Sequence, residues 1–168
     1  GESLEILPGR VVLEARSFAK LLDALDVQPG ERALDLGCGL GYSTAVLAQL
    51  AQSVVAVESD AGLAEQARVA LAGQGVTNAQ VVTGDLAGGA AKTGPYDIIM
   101  VEGGVQEMPD AVLDQLAEGG RIGVIFMQGG LGVARVGLKS AGRVTWRFAF
   151  NATAPVLPGF SARREFAL

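Results

Sequence analysis

The sequence predicts an α/β fold: a doubly wound, mostly parallel sheet with a C-terminal antiparallel hairpin. Three observations carry this. Short apolar stretches alternate with helical periods between Ser17 and Phe126. Apolar residues reach 49% and charged residues only 18%, as a parallel sheet covered on both faces requires. The end of the chain then changes to period two. Val144, Trp146, Phe148 and Phe150 alternate with Thr145, Arg147, Ala149 and Asn151, a strand with one wet face.

The elements follow in order. Residues 1–16 carry no clear period. Phe18, Leu21, Leu22 and Leu25 fall on one face of a helix that begins near Ser17, and Gln28-Pro29-Gly30 stops it. Ala33 to Leu36 reads as a strand running into Gly37-Cys38-Gly39-Leu40-Gly41. A helix follows from about Tyr42 to Ala51, then a strand from Ser53 to Val57 that ends at Glu58. A helix from about Gly62 to Leu71 stops at Gly73. Gln80 to Val82 is a third strand ending at Gly84-Asp85, and Tyr96 to Val101 a fourth. A helix from about Pro109 to Leu116 ends at Gly119-Gly120, and Arg121 to Phe126 is the fifth strand. Ala134, Val136 and Leu138 alternate with polar or small neighbours, so they pair with the Val144–Phe150 strand through a turn near Ser140-Ala141-Gly142.

At 168 residues the chain is expected to form one domain over 1–168. Residues 1–16 read as the remnant of an N-terminal segment, 17–130 as a cofactor-binding core, and 131–168 as the hairpin and tail. The first residue is Gly1 rather than Met, so an upstream piece is expected to be missing. With no histidine and one cysteine, the residues offer no disulfide, no Cys/His metal site and no histidine base. A net charge of -5 without a basic stripe argues against nucleic acid. The longest uncharged run, Leu36 to Val57, is broken by glycines and glutamines, so no membrane span is expected. No signal peptide is visible, and the expected location is cytoplasmic.

In doubly wound sheets ligands bind beyond the carboxyl ends of the strands. Three features gather there: the glycine loop, Glu58 and Asp85. An acid about 20 residues past the first glycine is placed to hold ribose hydroxyls. A dinucleotide fingerprint wants its third glycine at position six of the loop, where Tyr42 stands. Gly37-x-Gly39-x-Gly41 with Asp35 two residues upstream suits S-adenosylmethionine better. That ligand carries no phosphate; it has an ammonium group an acid can hold and an adenine amino group that Asp85 can accept from. These stretches hold three acids and no Lys or Arg.

At these residues the sequence resembles a class I S-adenosylmethionine-dependent methyltransferase. More narrowly, it resembles the protein-L-isoaspartate O-methyltransferase family. The matching segments are Pro29-Gly30-Glu31-Arg32-Ala33-Leu34-Asp35-Leu36-Gly37-Cys38-Gly39-Leu40-Gly41-Tyr42-Ser43, Val57-Glu58, Thr83-Gly84-Asp85, Pro95-Tyr96-Asp97-Ile98-Ile99 and Leu113-Asp114-Gln115-Leu116-Ala117-Glu118-Gly119-Gly120-Arg121. The likeness spans roughly 17–139. It implies a Rossmann-like methyltransferase sheet and methyl transfer to the carboxylate of isoaspartyl residues in damaged proteins. It implies cofactor binding by Asp35, Gly37, Cys38, Gly39, Gly41, Glu58 and Asp85, and an isoaspartyl protein or peptide as substrate.

Two positions depart from the family. Its Ser/Thr-rich stretch before the first helix aligns with Val12-Leu13-Glu14-Ala15-Arg16, which has no hydroxyl. Its small or hydroxyl residues after the fourth strand are replaced by Glu102-Gly103-Gly104. A carboxylate at Glu102 predicts repulsion of an anionic acceptor and slow isoaspartyl methylation, relieved by Glu102→Gln. Two alternatives stay open: a methyltransferase with another acceptor, and a catalytically weak cofactor-binding protein. Arg10 and Arg16 are candidates to hold a substrate carboxylate, although solvated surface charge is the commoner fate of such residues. A carboxylate acceptor is already ionised at neutral pH, so the reaction needs no histidine.

Overall fold

The computed structural model describes residues 3–162. The expected N-terminal remnant and C-terminal tail run into 1–2 and 163–168, which lie outside the described residues. Strands β1 (Leu4–Leu7) and β2 (Arg10–Val12) form an antiparallel hairpin, followed by helix α1 (Ala15–Leu25). Then come β3 (Arg32–Leu36), α2 (Tyr42–Leu50), β4 (Ser53–Glu58), α3 (Ala61–Gly73) and β5 (Ala79–Thr83). After two short 3₁₀ turns follow β6 (Tyr96–Val105), α4 (Asp110–Leu113), β7 (Leu116–Gln128), β8 (Leu131–Ser140) and β9 (Arg143–Asn151).

The main sheet has seven strands in the order β5-β4-β3-β6-β7-β8-β9. Its first five strands are parallel, and the last two add as an antiparallel hairpin, as the sequence predicts. Side chains alternate between two cores. Leu34, Leu36, Val55, Val57, Ile99 and Val101 pack on one face. Ala33, Val54, Ile98 and Met100 pack on the other, against Leu13, Leu21, Leu25 and Leu47. Both faces are buried, which accounts for the apolar composition.

Four elements differ from the sequence reading, each for a physical reason. The hairpin β1–β2 was hidden by the weak alternation and exposure of Leu4 and Glu5; its visible signal is Pro8-Gly9, with Gly9 at φ +76°. Helix α4 is a single turn rather than a run to Leu116. The Gln115 carbonyl accepts from the Tyr96 amide at 2.8 Å, and Leu116 pairs with Tyr96, so the chain leaves the helix early and enters β7. The expected fifth strand, Arg121 to Phe126, therefore lengthens to Leu116–Gln128.

Strand β6 also runs past Val101 to Val105. Glu102, Gly103 and Gly104 thus lie inside the strand, not beyond it. The glycines are there because another segment crosses them. The Gly104 amide donates to the Pro155 carbonyl at 2.7 Å, and the Leu157 amide donates back to the Gly104 carbonyl at 2.9 Å. A Cβ on Gly103 would stand 2.5 Å from Leu157 Cγ, and one on Gly104 2.5 Å from the Ala154 carbonyl. No helix among the described residues is long and apolar enough to cross a membrane.

Candidate functional site

The glycine loop joins β3 to α2. Gly37, Gly39 and Gly41 all have positive φ (+83°, +55° and +92°), a conformation that other residues rarely adopt. The Gly37 amide donates to the Val57 carbonyl at 2.9 Å, which holds the loop against the end of β4. The Gly41 amide closes the turn onto the Cys38 carbonyl at 2.9 Å. The Cys38 side chain packs with Ala56, Ala64 and Ala67 in the core rather than facing the site. Burial, with the charges of Asp35 and Glu58, pushes its thiol far up, so it is no nucleophile.

Asp35 lies near the end of β3 and is fully buried. Its Oδ2 accepts from Ser43 Oγ at 2.6 Å and from Thr44 Oγ1 at 2.8 Å, both in the first turn of α2. Sequence reading missed these two hydroxyls. Their signal is position: they follow the loop directly, where helix geometry turns them back over β3. Burial pushes the Asp35 carboxyl up, against hydrogen bonds from Glu102, Ser43 and Thr44.

Glu58, at the end of β4, is fully buried and has both oxygens occupied. Oε1 accepts from Arg10 Nη2 at 2.5 Å and from the Gly39 amide at 2.9 Å. Oε2 accepts from Arg10 Nη1 at 3.0 Å and from the Asp60 amide at 2.8 Å. Burial opposes ionisation here, but the Arg10 guanidinium and the two amides outweigh it and hold the carboxyl below its usual range. Arg10 is 6% exposed. It is neither a surface charge nor a free anchor for a substrate carboxylate, and both sequence readings of it are corrected. The hairpin that carries it also brings Ile6 over the loop, where Ile6 Cδ1 stands 2.9 Å from a Cβ built on Gly39. Arg16, by contrast, is exposed.

Thr83 of β5 pairs with Glu58, and the Gly84 amide donates to the Glu58 carbonyl at 3.0 Å. This sets Asp85, which is exposed, beside the Glu58 end of the site. The structure therefore brings Asp35, the glycine loop, Glu58 and Asp85 to the carboxyl ends of three adjacent strands.

Glu102 reverses an expectation. It is buried on β6, and burial together with the neighbouring Asp35 charge pushes its carboxyl well above the usual range. That shift disfavours the charge on which repulsion of an acceptor, and its relief by Glu102→Gln, depends. Leu13, at the position of the family's missing hydroxyl, packs into the core.

Comparison with known proteins identifies the family and the fold. The family model described as protein-L-isoaspartate(D-aspartate) O-methyltransferase (PCMT) matches residues 2–142. A protein-L-isoaspartate O-methyltransferase of Koribacter versatilis is 38% identical over 141 residues, 84% of this chain and 64% of that protein. One from Rhodopseudomonas palustris is 40% identical over 119 residues, 71% of this chain and 49% of that protein. The chain thus spans about half to two-thirds of the length of these relatives. A solved protein-L-isoaspartate O-methyltransferase superposes with a TM-score of 0.79 at 28% identity, covering 85% of this chain and 47% of that one. A Plasmodium falciparum structure, of a protein described as a putative member in complex with S-adenosyl-L-homocysteine, has the same fold, with a TM-score of 0.79 at 20% identity over 92% of this chain and 79% of that one. With a family model covering most of its length and a sheet of the matching architecture, the chain belongs to the protein-L-isoaspartate(D-aspartate) O-methyltransferase family.

Proposed function

We propose that the chain binds S-adenosylmethionine and methylates the carboxylate of isoaspartyl residues in proteins or peptides. The observation that carries this is the convergence of Asp35, the positive-φ glycine loop, Glu58 and Asp85 at adjacent strand ends, in a chain of this family. The residues fit the ligand. Asp35 and Asp85 at the strand ends suit a ligand with an ammonium group, an adenine amino group and no phosphate, and the glycine loop lets backbone approach it closely. When bound, S-adenosylmethionine supplies an electrophilic methyl group on a sulfonium. Asp35 and Gly37 to Gly41 would shape its methionine end, Glu58 would accept from ribose hydroxyls in exchange for Arg10, and Asp85 would accept from the adenine amino group. The protein's part is position and electrostatics. Cys38 contributes its backbone alone.

The direct test is methylation of an isoaspartyl peptide, alongside calorimetry. Micromolar binding of S-adenosylmethionine and its demethylated product, with no binding of NAD, is the expected result; the reverse preference overturns the cofactor assignment. Asp85→Ala is expected to weaken adenosyl ligands more than inosyl ligands, which lack the amino donor. Equal losses would leave Asp85 as a turn residue. A second reading, a cofactor-binding protein with weak catalysis, is favoured by Leu13 being turned into the core and by the guanidinium on Glu58. Cofactor binding without peptide methylation would establish it.

A further inference from the structure

Two buried carboxyl groups meet under the glycine loop, and the assigned roles above use only one of them. Asp35 pairs with Met100 across β3 and β6. Glu102 lies two residues beyond Met100, so the pleat sets it on the same face as Asp35. Asp35 Oδ2 is occupied by Ser43 and Thr44. Asp35 Oδ1 and Glu102 Oε1 are both buried and both lack a partner when each is written as a carboxylate oxygen. Two orphaned acceptors in one pocket are costly, and one proton satisfies both.

We propose that Glu102 is a positioning residue: as a neutral acid it donates a hydrogen bond to Asp35 and so fixes the carboxylate at the methionine end of the site. The pair holds one proton and one negative charge. The hydroxyls of Ser43 and Thr44 complete the shell of Asp35, and Ser43 also faces Glu102. The other titratable groups around the pair are Cys38 of the loop, whose thiol stays protonated, and Glu58 of β4, whose charge is matched by Arg10 of β2. This goes beyond the proposed function by adding a residue that the family resemblance does not supply, and its link to the cofactor rests on that reading.

The sign of the pH effect follows from the raised folded-state pKa of Glu102. In the unfolded chain Glu102 ionises in the ordinary carboxyl range, whereas in the fold it keeps its proton. Its contribution to stability is complete at low pH and is lost as pH rises towards the folded value, by up to about tenfold in the folding constant per pH unit. Glu58 works in the opposite sense and at lower pH, so it does not mask the effect.

The experiment is urea unfolding of the wild type, Glu102→Gln and Glu102→Ala between about pH 5 and pH 8, above the ordinary carboxyl range. Wild-type stability is expected to fall across this range. Glu102→Gln, whose amide donates at every pH, should be folded and fall less steeply, keeping only the contribution of the buried Asp35, while Glu102→Ala should be weaker throughout. In calorimetry, Glu102→Gln should keep wild-type affinity for S-adenosylmethionine, and Glu102→Ala should lose tenfold or more. Identical pH profiles for wild type and Glu102→Gln overturn the proposal. An intact pH difference with no ligand binding by any variant leaves the proton pair standing, overturns its positioning role and counts against the proposed function.

Discussion

Arg10→Ala is expected to destabilise the fold by about 3–5 kcal/mol, the usual result of removing one partner from a buried ion pair. Glu58 would keep the Gly39 and Asp60 amides and a long contact from the Ser59 hydroxyl, with no cation, for a fully buried charge. Adding Glu58→Gln to the Arg10→Ala protein removes that charge and should recover only part of the loss, because the new side-chain NH2 then faces one of the two backbone amides that Glu58 accepts from. Urea unfolding measures both, and a loss below about 1 kcal/mol would mean that the pair behaves like an exposed one. Because the folded-state pKa of Glu58 is depressed, its contribution is present above the ordinary carboxyl range and is lost as pH falls through the folded value. The gap between wild type and Arg10→Ala should therefore narrow in acid. Ligand affinity should move the other way. Arg10 holds both Glu58 oxygens that the proposed function gives to ribose, so a folded Arg10→Ala protein is expected to bind S-adenosylmethionine more tightly. Weaker binding would mean that Arg10 orders the site instead of filling it.

Phe160→Ala is expected to cost about 3–5 kcal/mol, the range for emptying a large buried aromatic site. Phe160 is fully buried, and its carbonyl accepts from the amides of Gln106 and Glu107 at 2.9 and 3.1 Å. The loss reaches further than the cavity, because the same segment lays Leu157 on Gly37 and Gly103. Limited proteolysis should find a new cleavage between Asn151 and Phe160 in the variant. A resistant segment with a small stability change would place its anchor at Leu157 instead.

The parallel strands and the closing hairpin were legible because each carries its own period, two or continuous apolar, over at least three residues. The turn near Ala141-Gly142 was legible too, and both residues have positive φ. The glycine loop and its acids were found from spacing within one β-α-β unit. What escaped is non-local. Nothing near Arg10 announces Glu58, 48 residues away, and no pattern at Pro155 or Leu157 shows that they cross Gly104. Glu102 was misread for a related reason. Its residue type suggested charge, whereas its state is set by burial beside Asp35, which only the packed sheet reveals.

The meeting of Arg10 and Leu157 at Gly37 also sets an order of events. A Cβ on Gly37 would lie 3.5 Å from Arg10 Nη2 and 3.4 Å from Leu157 Cδ1, so two segments far apart in the chain close on one backbone atom. Contacts across short separations form first during folding, and those across long separations form late. The Leu157 clasp is therefore expected to form after the rate-limiting step. Substitutions at Leu157 or Phe160 should leave the refolding rate nearly untouched and speed unfolding, so this clasp governs how long the native state lasts, and has little influence on how fast it is reached.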